Sequence, residues 1–410
     1  MIAIAAIVTG CSSTATASPA ATPTPVTSAP AVAAPTPTVA PTPAPTVIPA
    51  VMSAMASTKA INTGTGEVDV ILPDVTTSAR YAVYDAPDLA QAFTAAGYAA
   101  ADFKIQNASV TAGTEVAIAQ ADITAGAKIL IVDPVDGATG KQIQTLAAKA
   151  GVAMISYDRA TFQGTKTYYV GFDSVQVGKL IGQGLEQCIT EWGVTSPKVY
   201  VLDGPRDFDP AAISFAQGYN SVLWGSTKTP QTAGKTNSLG YTLVKEGMAS
   251  GWDTGQGQST FQQAYNANKS INATVEANDI LANAVITVLK GAGVGPKKIP
   301  TTGQDASLSG LAFILQGYQC GTVYRSIHLE AEAAVTLATY LRAGTTPPAA
   351  LVNGTTKDPT SKNTEPAVLL GGIWVNAANM ESTVIKDGAV QAADLCAAAG
   401  ADVCLAAGIS

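Results

Sequence analysis

The chain has 410 residues, of which 47% are hydrophobic and 13% charged, and its formal net charge is −7. This is a globular composition long enough for two or three domains. An acidic chain without a basic cluster does not attract phosphate backbones, so nucleic acid is not expected as a partner. The single histidine, His328, lies in an apolar helical stretch, where a surface or packing role is expected. With one histidine, neither Ser-His-Asp catalysis nor a metal site is expected, and the chain predicts no cofactor.

The first eleven residues predict a lipoprotein signal segment. Residues 2–8 are apolar, and Val8-Thr9-Gly10 leads to Cys11, a pattern similar to a bacterial lipoprotein processing site. The apolar run is shorter than the roughly 20 residues that a spanning helix needs. No Lys or Arg precedes it, which departs from the usual signal and would fit a misplaced start codon. Acylation at Cys11 would anchor the protein to the outer face of the cell membrane; the alternative is a frayed terminus with a chance cysteine.

The next segment, residues 12–60, predicts a disordered linker. It is rich in Pro, Thr and Ala, and prolines recur from Pro19 to Pro49. Such a composition cannot form a packed core and favours an extended, semi-rigid spacer. The spacer would hold a folded domain away from a membrane.

Four cysteines remain beyond the linker, and an even number outside the cytoplasm indicates disulfides. Three pairings can be drawn among Cys188, Cys320, Cys396 and Cys404. The simplest joins Cys396 to Cys404 in the tail and leaves Cys188 with Cys320. No pair has the spacing of a zinc site.

From residue 66 onward the chain alternates short apolar strands with helical stretches, which predicts an α/β fold. One series has strands at 68–72, 103–106, 128–132 and 152–157, and a second series after Gly171 has strands at 198–202, 241–244, 273–276 and 298–300. Strands separated by helices of 10–15 residues are typical of βαβ units with a parallel sheet. Two successive series predict two such lobes.

Polar side chains follow most of these strands, at the sheet edge where ligands of open α/β folds bind. Carboxylates and amides accept hydrogen bonds and arginine donates in a rigid fork, which suits sugar hydroxyls. The rings of Tyr81 and Trp252 could stack on the C–H face of a sugar. The alternative is that such residues cap helices. Capping or hinge roles are favoured for Asp74, Asp133, Asp136 and Asp203, whereas the two interpretations are balanced for Arg80, Asp158, Arg159 and Asp305.

An ordered set of short motifs resembles the sugar-binding proteins of ABC importers, which are type I periplasmic binding proteins. The similarity is greatest to the xylose-binding and multiple-sugar-binding branch and covers nearly everything from about Glu67 to the C-terminus. Each motif is weak alone, but their common order is specific. They are Leu72-Pro-Asp, Ser78-Ala-Arg-Tyr81, Tyr157-Asp-Arg159, Gly171-Phe-Asp173 with Val177-Gly178, Gln217-Gly-Tyr219, Gly251-Trp252, Ala277-Asn-Asp279 with Leu281-Ala-Asn283, Gly303-Gln-Asp305 and Thr322-Val-Tyr324.

The resemblance implies two Rossmann-like lobes with parallel sheets, joined by a three-segment hinge and closing on one sugar. An N-terminal lobe of 66–172 plus 325–345 and a C-terminal lobe of 173–324 plus 366–410 are expected. By position, the implied sugar contacts are Arg80, Tyr81, Asp158, Arg159, Asp209, Trp252, Asn278, Asp305 and Arg325.

Two of these contacts depart from the family's usual residues. Asp209 stands where an amide is common, and Arg325 stands where a lysine usually follows Thr-Val-Tyr. Arg and Lys are not equivalent at a hydrogen-bonding site. The two departures bear on the identity of the sugar and leave the class of ligand unchanged. Xylose is the first expectation, with glucose, galactose and arabinose as alternatives.

The function expected from the resemblance is transport rather than catalysis. The chain would bind a monosaccharide outside the cytoplasm and deliver it, as a monomer, to the permease subunits of an ABC transporter. Alternatives are a sensor whose closed form is read by a membrane receptor and an extracytoplasmic glycosidase. A sugar-responsive transcription factor would need a DNA-binding headpiece where this chain has its Pro-Thr-Ala spacer.

Overall fold

The computed structural model of the protein describes residues 49–74, 80–109, 111–161, 167–207, 209–358 and 362–409. Cys11, the signal segment and the linker up to residue 48 lie outside the described residues, as do residues 78 and 79 of the second motif. In the part that is described, no helix has both the length and the apolar character needed to cross a bilayer.

The first lobe is built on a seven-stranded sheet. Its strands are β1 (Val68–Leu72), β2 (Phe103–Asn107), β3 (Ile129–Val132), β4 (Ala153–Tyr157), β5 (Thr167–Phe172), β10 (Gly354–Lys357) and β11 (Thr364–Leu370). The order across the sheet is β10-β11-β5-β4-β3-β1-β2, and every pair is parallel except β10 with β11. The central strands β1 and β3 are buried along their whole length, as expected for a parallel sheet covered on both faces.

Helices cover this sheet and leave its carboxyl edge open. They are α3 (Ala86–Ala95), α4 (Ala112–Ala125), α5 (Gly137–Ala150) and α11 (Ile327–Arg342). The ends of α4 and α5 are set by Gly126 and Gly151, whose φ angles of 100° and 75° place them in the left-handed region that glycine adopts at low cost. His328 lies on α11 with its side chain 42% exposed, which confirms the expected place on a helix surface.

The predicted linker extends too far, because α1 (Pro49–Ala56) and α2 (Thr58–Ile61) occupy its last part. Val51 and Met55, four residues apart on one helical face, are buried in the core of the first lobe. The Thr58 hydroxyl lies 2.6 Å from the hydroxyl of Thr336 on α11. The overall Pro, Thr and Ala composition of residues 12–60 did not reveal these two helices, although the prolines stop there and apolar residues recur at helical spacing.

The second lobe has a three-stranded parallel sheet and a separate two-stranded antiparallel pair. The order of the first is β7 (Thr242–Met248), β6 (Lys198–Asp203) and β8 (Ala273–Glu276), and the pair is β9 (Thr322–Tyr324) with β12 (Ile373–Val375). Its helices are α6 (Ser174–Glu191), α7 (Pro210–Trp224), α8 (Thr254–Ala267), α9 (Asp279–Gly291), α10 (Leu308–Leu315), α12 (Ala392–Ala399) and α13 (Ala401–Ala406).

The strand predicted at 298–300 is not formed. The chain from Pro300 to Gln304 instead runs irregularly between β8 and β9, where the Thr302 amide donates to the Glu276 carboxylate at 2.9 Å. Pro300 has no backbone N–H to donate to a neighbouring strand, and the Thr302 amide bonds to the buried Glu276 side chain instead of to a backbone carbonyl.

Three segments cross between the lobes, and the α/β fold with two lobes joined by a three-segment hinge is confirmed. The crossings connect β5 to α6, β9 to α11 and β11 to β12. Because β11 pairs with β5, residues 366–370 belong to the first lobe, and their assignment to the second lobe was wrong. The tail joins the second lobe only from β12 onward.

Two disulfides cross-link the second lobe. Cys188 of α6 is bonded to Cys320 at 2.02 Å, and Cys396 of α12 is bonded to Cys404 of α13 at 2.14 Å. This is the simplest of the three pairings that the sequence allowed.

We expect the double variant Cys188→Ala/Cys320→Ala to lose about 5 kcal/mol of unfolding free energy, because this bridge closes a loop of 132 residues. The matched control, Cys396→Ala/Cys404→Ala, opens a loop of 8 residues and should lose about 2–3 kcal/mol. Urea unfolding without reductant measures both, and an equal or larger loss in the control would contradict the prediction.

Candidate functional site

All nine predicted contact residues line one cavity. Counted together with its open mouth, the cavity spans about 590 Å³. Its walls come from the first lobe, the second lobe and the crossing that follows β9. The predicted residues that line it are Arg80, Tyr81, Asp158, Arg159, Asp209, Trp252, Asn278, Asp305 and Arg325.

The fold brings these side chains together because they follow the carboxyl ends of parallel strands. Asp158 and Arg159 come directly after β4, Asn278 follows β8, and Arg325 follows β9. The carboxyl ends of strands in a parallel sheet share one edge, and the two lobes turn these edges toward each other across the cavity.

Arg80 is held by three carboxylates. Its Nε and Nη2 donate to Asp85 at 2.9 and 2.8 Å, and Nη2 also donates to Glu330 at 3.0 Å. Its Nη1 donates to Asp158 at 3.0 Å. A guanidinium has five N–H groups, so these four bonds leave one N–H on Nη1 for a ligand.

Asp85 and Glu330 were not predicted from the sequence. Both side chains are fully buried, and Asp85 also accepts from the Tyr157 hydroxyl at 2.8 Å. Asp85 ends a π-helical turn, Tyr81–Asp85, that begins directly after Arg80. Glu330 lies 250 residues further along, on α11. An acidic residue within an apolar helical stretch was the available signal for Glu330.

Asp158 lines the cavity and bridges two arginines. It accepts from Arg80 at 3.0 Å and from Arg325 Nη1 at 3.2 Å, and the Tyr81 hydroxyl donates to it at 3.4 Å. Burial alone would raise the pKa of Asp158, but the charges of Arg80, Arg325 and Arg159 outweigh burial and lower that pKa well below its usual range. Asp158 is therefore an ionised hydrogen-bond acceptor.

Arg159 and Tyr81 form the neighbouring wall. The Arg159 guanidinium donates to the Pro134 carbonyl at 3.1 Å and lies 3.8 Å from the Asp133 carboxylate. The guanidinium carbons of Arg159 and Arg80 lie 5.6 and 5.3 Å from the Tyr81 ring centroid. Since Tyr81 is almost fully buried and contacts two cations, Trp252 is the more accessible of the two aromatic side chains.

The second lobe contributes an indole fixed from two sides. Trp252 Nε1 donates to Asp209 at 3.0 Å. Gly204 lies behind the ring, where a Cβ atom would stand 2.3 Å from the indole, so this close approach requires glycine. These contacts hold the indole at the edge of the cavity.

Several residues at strand ends cap a helix, and some of them line the cavity as well. Asp136 caps α5 as expected, while Asp209 and Asn278 cap α7 and α9 and also line the cavity. The capping interpretation was wrong for Asp133 and Asp203, which pair with arginines instead. Both are fully buried, and burial raises the pKa of each carboxyl group well above its usual range while the neighbouring arginine opposes that shift.

Arg325 connects the two lobes through the crossing segment. Its Nη1 donates to Asp158 of the first lobe, and its Nη2 donates to Asp305 of the second lobe at 2.9 Å. Asp305 has a φ of 97°, an unusual conformation for a residue with a side chain. Buried Asp279 holds the adjoining loop by accepting from the Ser307 amide at 2.7 Å.

Protonation of Glu330 makes stability depend on pH. Burial is the largest influence and raises the pKa of Glu330 to about 8, while Arg80 opposes it. The folded protein therefore retains a proton that the unfolded chain has released, and this contribution to stability is lost between about pH 4.5 and 8. We expect Glu330→Gln, which keeps an acceptor for Arg80, to show a smaller fall of unfolding free energy across this window. Urea unfolding of the variant and of wild type at pH 5.5, 6.5 and 7.5 measures the fall. Other buried acids contribute equally to the two proteins, so the difference between them reports Glu330. Equal slopes of unfolding free energy against pH would contradict the prediction.

Comparison with known proteins identifies the fold family. The family described as periplasmic binding protein domain matches residues 70–346. The chain belongs to this family. Among the residues that the structure describes, no group of three or more His, Cys, Asp or Glu is arranged to hold a metal ion.

Relatives of this periplasmic binding protein carry names that refer to sugars. It is 29% identical to the D-xylose-binding periplasmic protein of Escherichia coli over 69% of this chain and 80% of that protein. It is 26% identical to the multiple sugar-binding periplasmic receptor ChvE of Rhizobium radiobacter, over 83% of this chain and 96% of that protein.

Solved structures share the fold. An ABC transporter solute binding protein from Clostridium phytofermentans with bound β-D-glucose superposes with a TM-score of 0.68, at 22% identity, over 80% of this chain and 99% of that chain. A carbohydrate transporter solute binding protein from Chloroflexus aurantiacus in complex with D-glucose gives a TM-score of 0.67, also at 22% identity, over 80% and 97%.

Proposed function

We propose that this periplasmic binding protein binds a monosaccharide between its lobes and delivers it to an ABC permease. One observation carries the proposal: a single cavity holds three arginines and an ionised carboxylate opposite an indole. Its walls belong to both lobes, so one ligand can contact both at once.

The hydrogen-bonding chemistry supports a sugar. Asp158 and Asp209 accept from hydroxyls, and Arg80 and Arg159 donate to them in charge-assisted bonds, which are stronger than neutral ones. The Trp252 indole offers a flat apolar surface to sugar C–H groups. The other proposed contacts are Tyr81, Asn278, Asp305 and Arg325.

Xylose is the first candidate, because the relatives with sugar-specific names include xylose-binding proteins from Escherichia coli and Haemophilus influenzae. Glucose, galactose and arabinose are alternatives. Asp209 and Arg325 depart from the usual residues and change the charge around the ligand. These two positions are therefore where a different sugar preference would originate.

The proposed mechanism is domain closure. Ligand contacts from both lobes favour the closed form over the open one, so the sugar shifts the population toward closure. Arg325 would couple binding to closure, because it sits on a crossing segment and pairs with one carboxylate in each lobe.

The location we propose is extracytoplasmic, with a lipid on Cys11 anchoring a monomer to the outer face of the membrane. Support comes from the cysteine after small residues, the proline-rich spacer and the periplasmic relatives. A sensor role is the alternative, since one relative is named a receptor. We expect no glycosidase activity: the lowered pKa of Asp158 does not suit a general acid.

Calorimetry tests the proposal on the full chain with Cys11→Ser, which prevents acylation. Titration with xylose, glucose, galactose, arabinose and other monosaccharides should give one-to-one binding with a Kd of about 1 μM or lower for one or two of them. Absence of heat with every monosaccharide would overturn the proposed function. Hydrolysis of a chromogenic glycoside would favour the enzyme instead.

A further inference from the structure

We propose that this site accepts glycosides of its monosaccharide as well as the free sugar, with the aglycone in a second compartment of the cleft, beside the sugar compartment. The inference rests on the proposed function and names its substrate class more closely. A second cavity of about 760 Å³, counting its open mouth, adjoins the one described above. Arg159, Asp209 and Trp252 line both, so the two form one continuous cleft.

The second compartment differs from the first in its chemistry. Most of its exposed wall is apolar and comes from Pro73, Pro134, Val135, Ala160 and Pro210, while Asp74 and Asp136 add two carboxyl groups at its border. The sugar compartment, in contrast, has three arginines and several carboxylates. Apolar walls favour a group that presents carbon rather than hydroxyls to the protein.

The boundary between the compartments is polar and well fixed. Trp252 is held by Asp209 and backed by Gly204, so the part of its indole left uncovered lines both compartments and can contact the sugar and the aglycone along the same surface. Arg159 is fixed by the Pro134 carbonyl of the second compartment while lining the first. Its guanidinium is therefore placed to donate to the glycosidic oxygen between the two units.

Gly137 provides a way to close the second compartment alone. It lines the second cavity and is the first residue of α5. A Cβ atom at this position meets nothing within 4 Å, so a substitution here can start from the compartment wall without a clash at Cβ. Gly113, the second residue of α4, also has nothing within 4 Å and is the matched control.

The test measures Kd by calorimetry for the preferred monosaccharide and for its α- and β-4-nitrophenyl glycosides. Wild type should bind one anomer of the glycoside at least as tightly as the free sugar. Gly137→Phe should weaken that glycoside at least tenfold and leave the free sugar within about twofold, because aromatic bulk fills only the second compartment. Gly113→Phe should leave both affinities unchanged. Val135→Phe is an independent second variant with the same expectation as Gly137→Phe, and retained sugar binding reports that each variant is folded.

The outcomes separate this inference from the proposed function. A wild-type protein that binds the free sugar but neither glycoside overturns the inference and leaves the function intact. Glycoside binding unaffected by both compartment variants also overturns it, as does an equal loss for both ligands. Failure of wild type to bind any sugar or glycoside overturns the proposed function and, with it, the inference.

Discussion

An Arg80→Met variant is expected to lose sugar binding and about 3–5 kcal/mol of unfolding free energy. Methionine keeps much of the side-chain volume but removes the charge that Asp85 and Asp158 share and the donor that Glu330 accepts from. Asp85 is fully buried, so its carboxylate would remain without a cation and without water, and buried Glu330 would lose a hydrogen-bond donor. The proposed hydrogen bond from Nη1 to the sugar would disappear in the same variant.

The measurements are urea unfolding and calorimetry with the preferred sugar. Arg342→Met is the matched control: Arg342 is a buried arginine of the same lobe, donating to the Gly66 carbonyl at 2.8 Å and pairing with Asp102. It lies outside the residues lining the cavity, so the control should be destabilised but still bind the sugar. Arg80→Met that binds like wild type would contradict the proposed contact.

An Arg159→Ala variant is expected to lose affinity at least a hundredfold, about 2.7 kcal/mol, while keeping its stability within about 1 kcal/mol. Arg159→Ala should cost less stability than Arg80→Met because of the carboxyl group that loses its arginine, which here is Asp133. Burial, the largest influence, raises the pKa of Asp133 well above its usual range, and Arg159 is the main group opposing this. Since burial already favours the protonated form of Asp133 and removal of Arg159 strengthens this preference, no buried charge is stranded.

Calorimetry and urea unfolding measure this variant side by side. Arg206→Ala is the control: Arg206 pairs with buried Asp203 at 2.7 Å in the second lobe and does not line the cavity. Its sugar affinity should match wild type. Undiminished affinity in Arg159→Ala would remove this residue from the proposed site, and global unfolding would contradict the explanation through Asp133.

The supporting residues of the site could not be predicted from local sequence. Arg80, Asp158 and Arg159 follow strands and were therefore recognisable as candidates. Glu330, in contrast, reaches Arg80 only because α11 returns to the first lobe after the second lobe is complete. Hydrophobic pattern reveals which element forms, but it contains no information on which distant element packs against it.

The sequence by itself determined the alternation of strands and helices, the two lobes and the strand-end positions of the nine lining residues. Local periodicity is enough for the elements and their alternation, because it depends on neighbours in the chain, whereas the set of nine contact residues came from the resemblance to sugar-binding proteins. Only the tertiary structure decided that Pro49–Ala56 and Thr58–Ile61 are packed helices, that β11 completes the first sheet, and that Asp133 and Asp203 pair with arginines instead of capping helices. It also decided which carboxylates surround Arg80 and that the cleft has a second, apolar compartment. These features depend on burial and on contacts between residues far apart in the chain, where the cost of an unpaired charge or an exposed apolar face selects the arrangement.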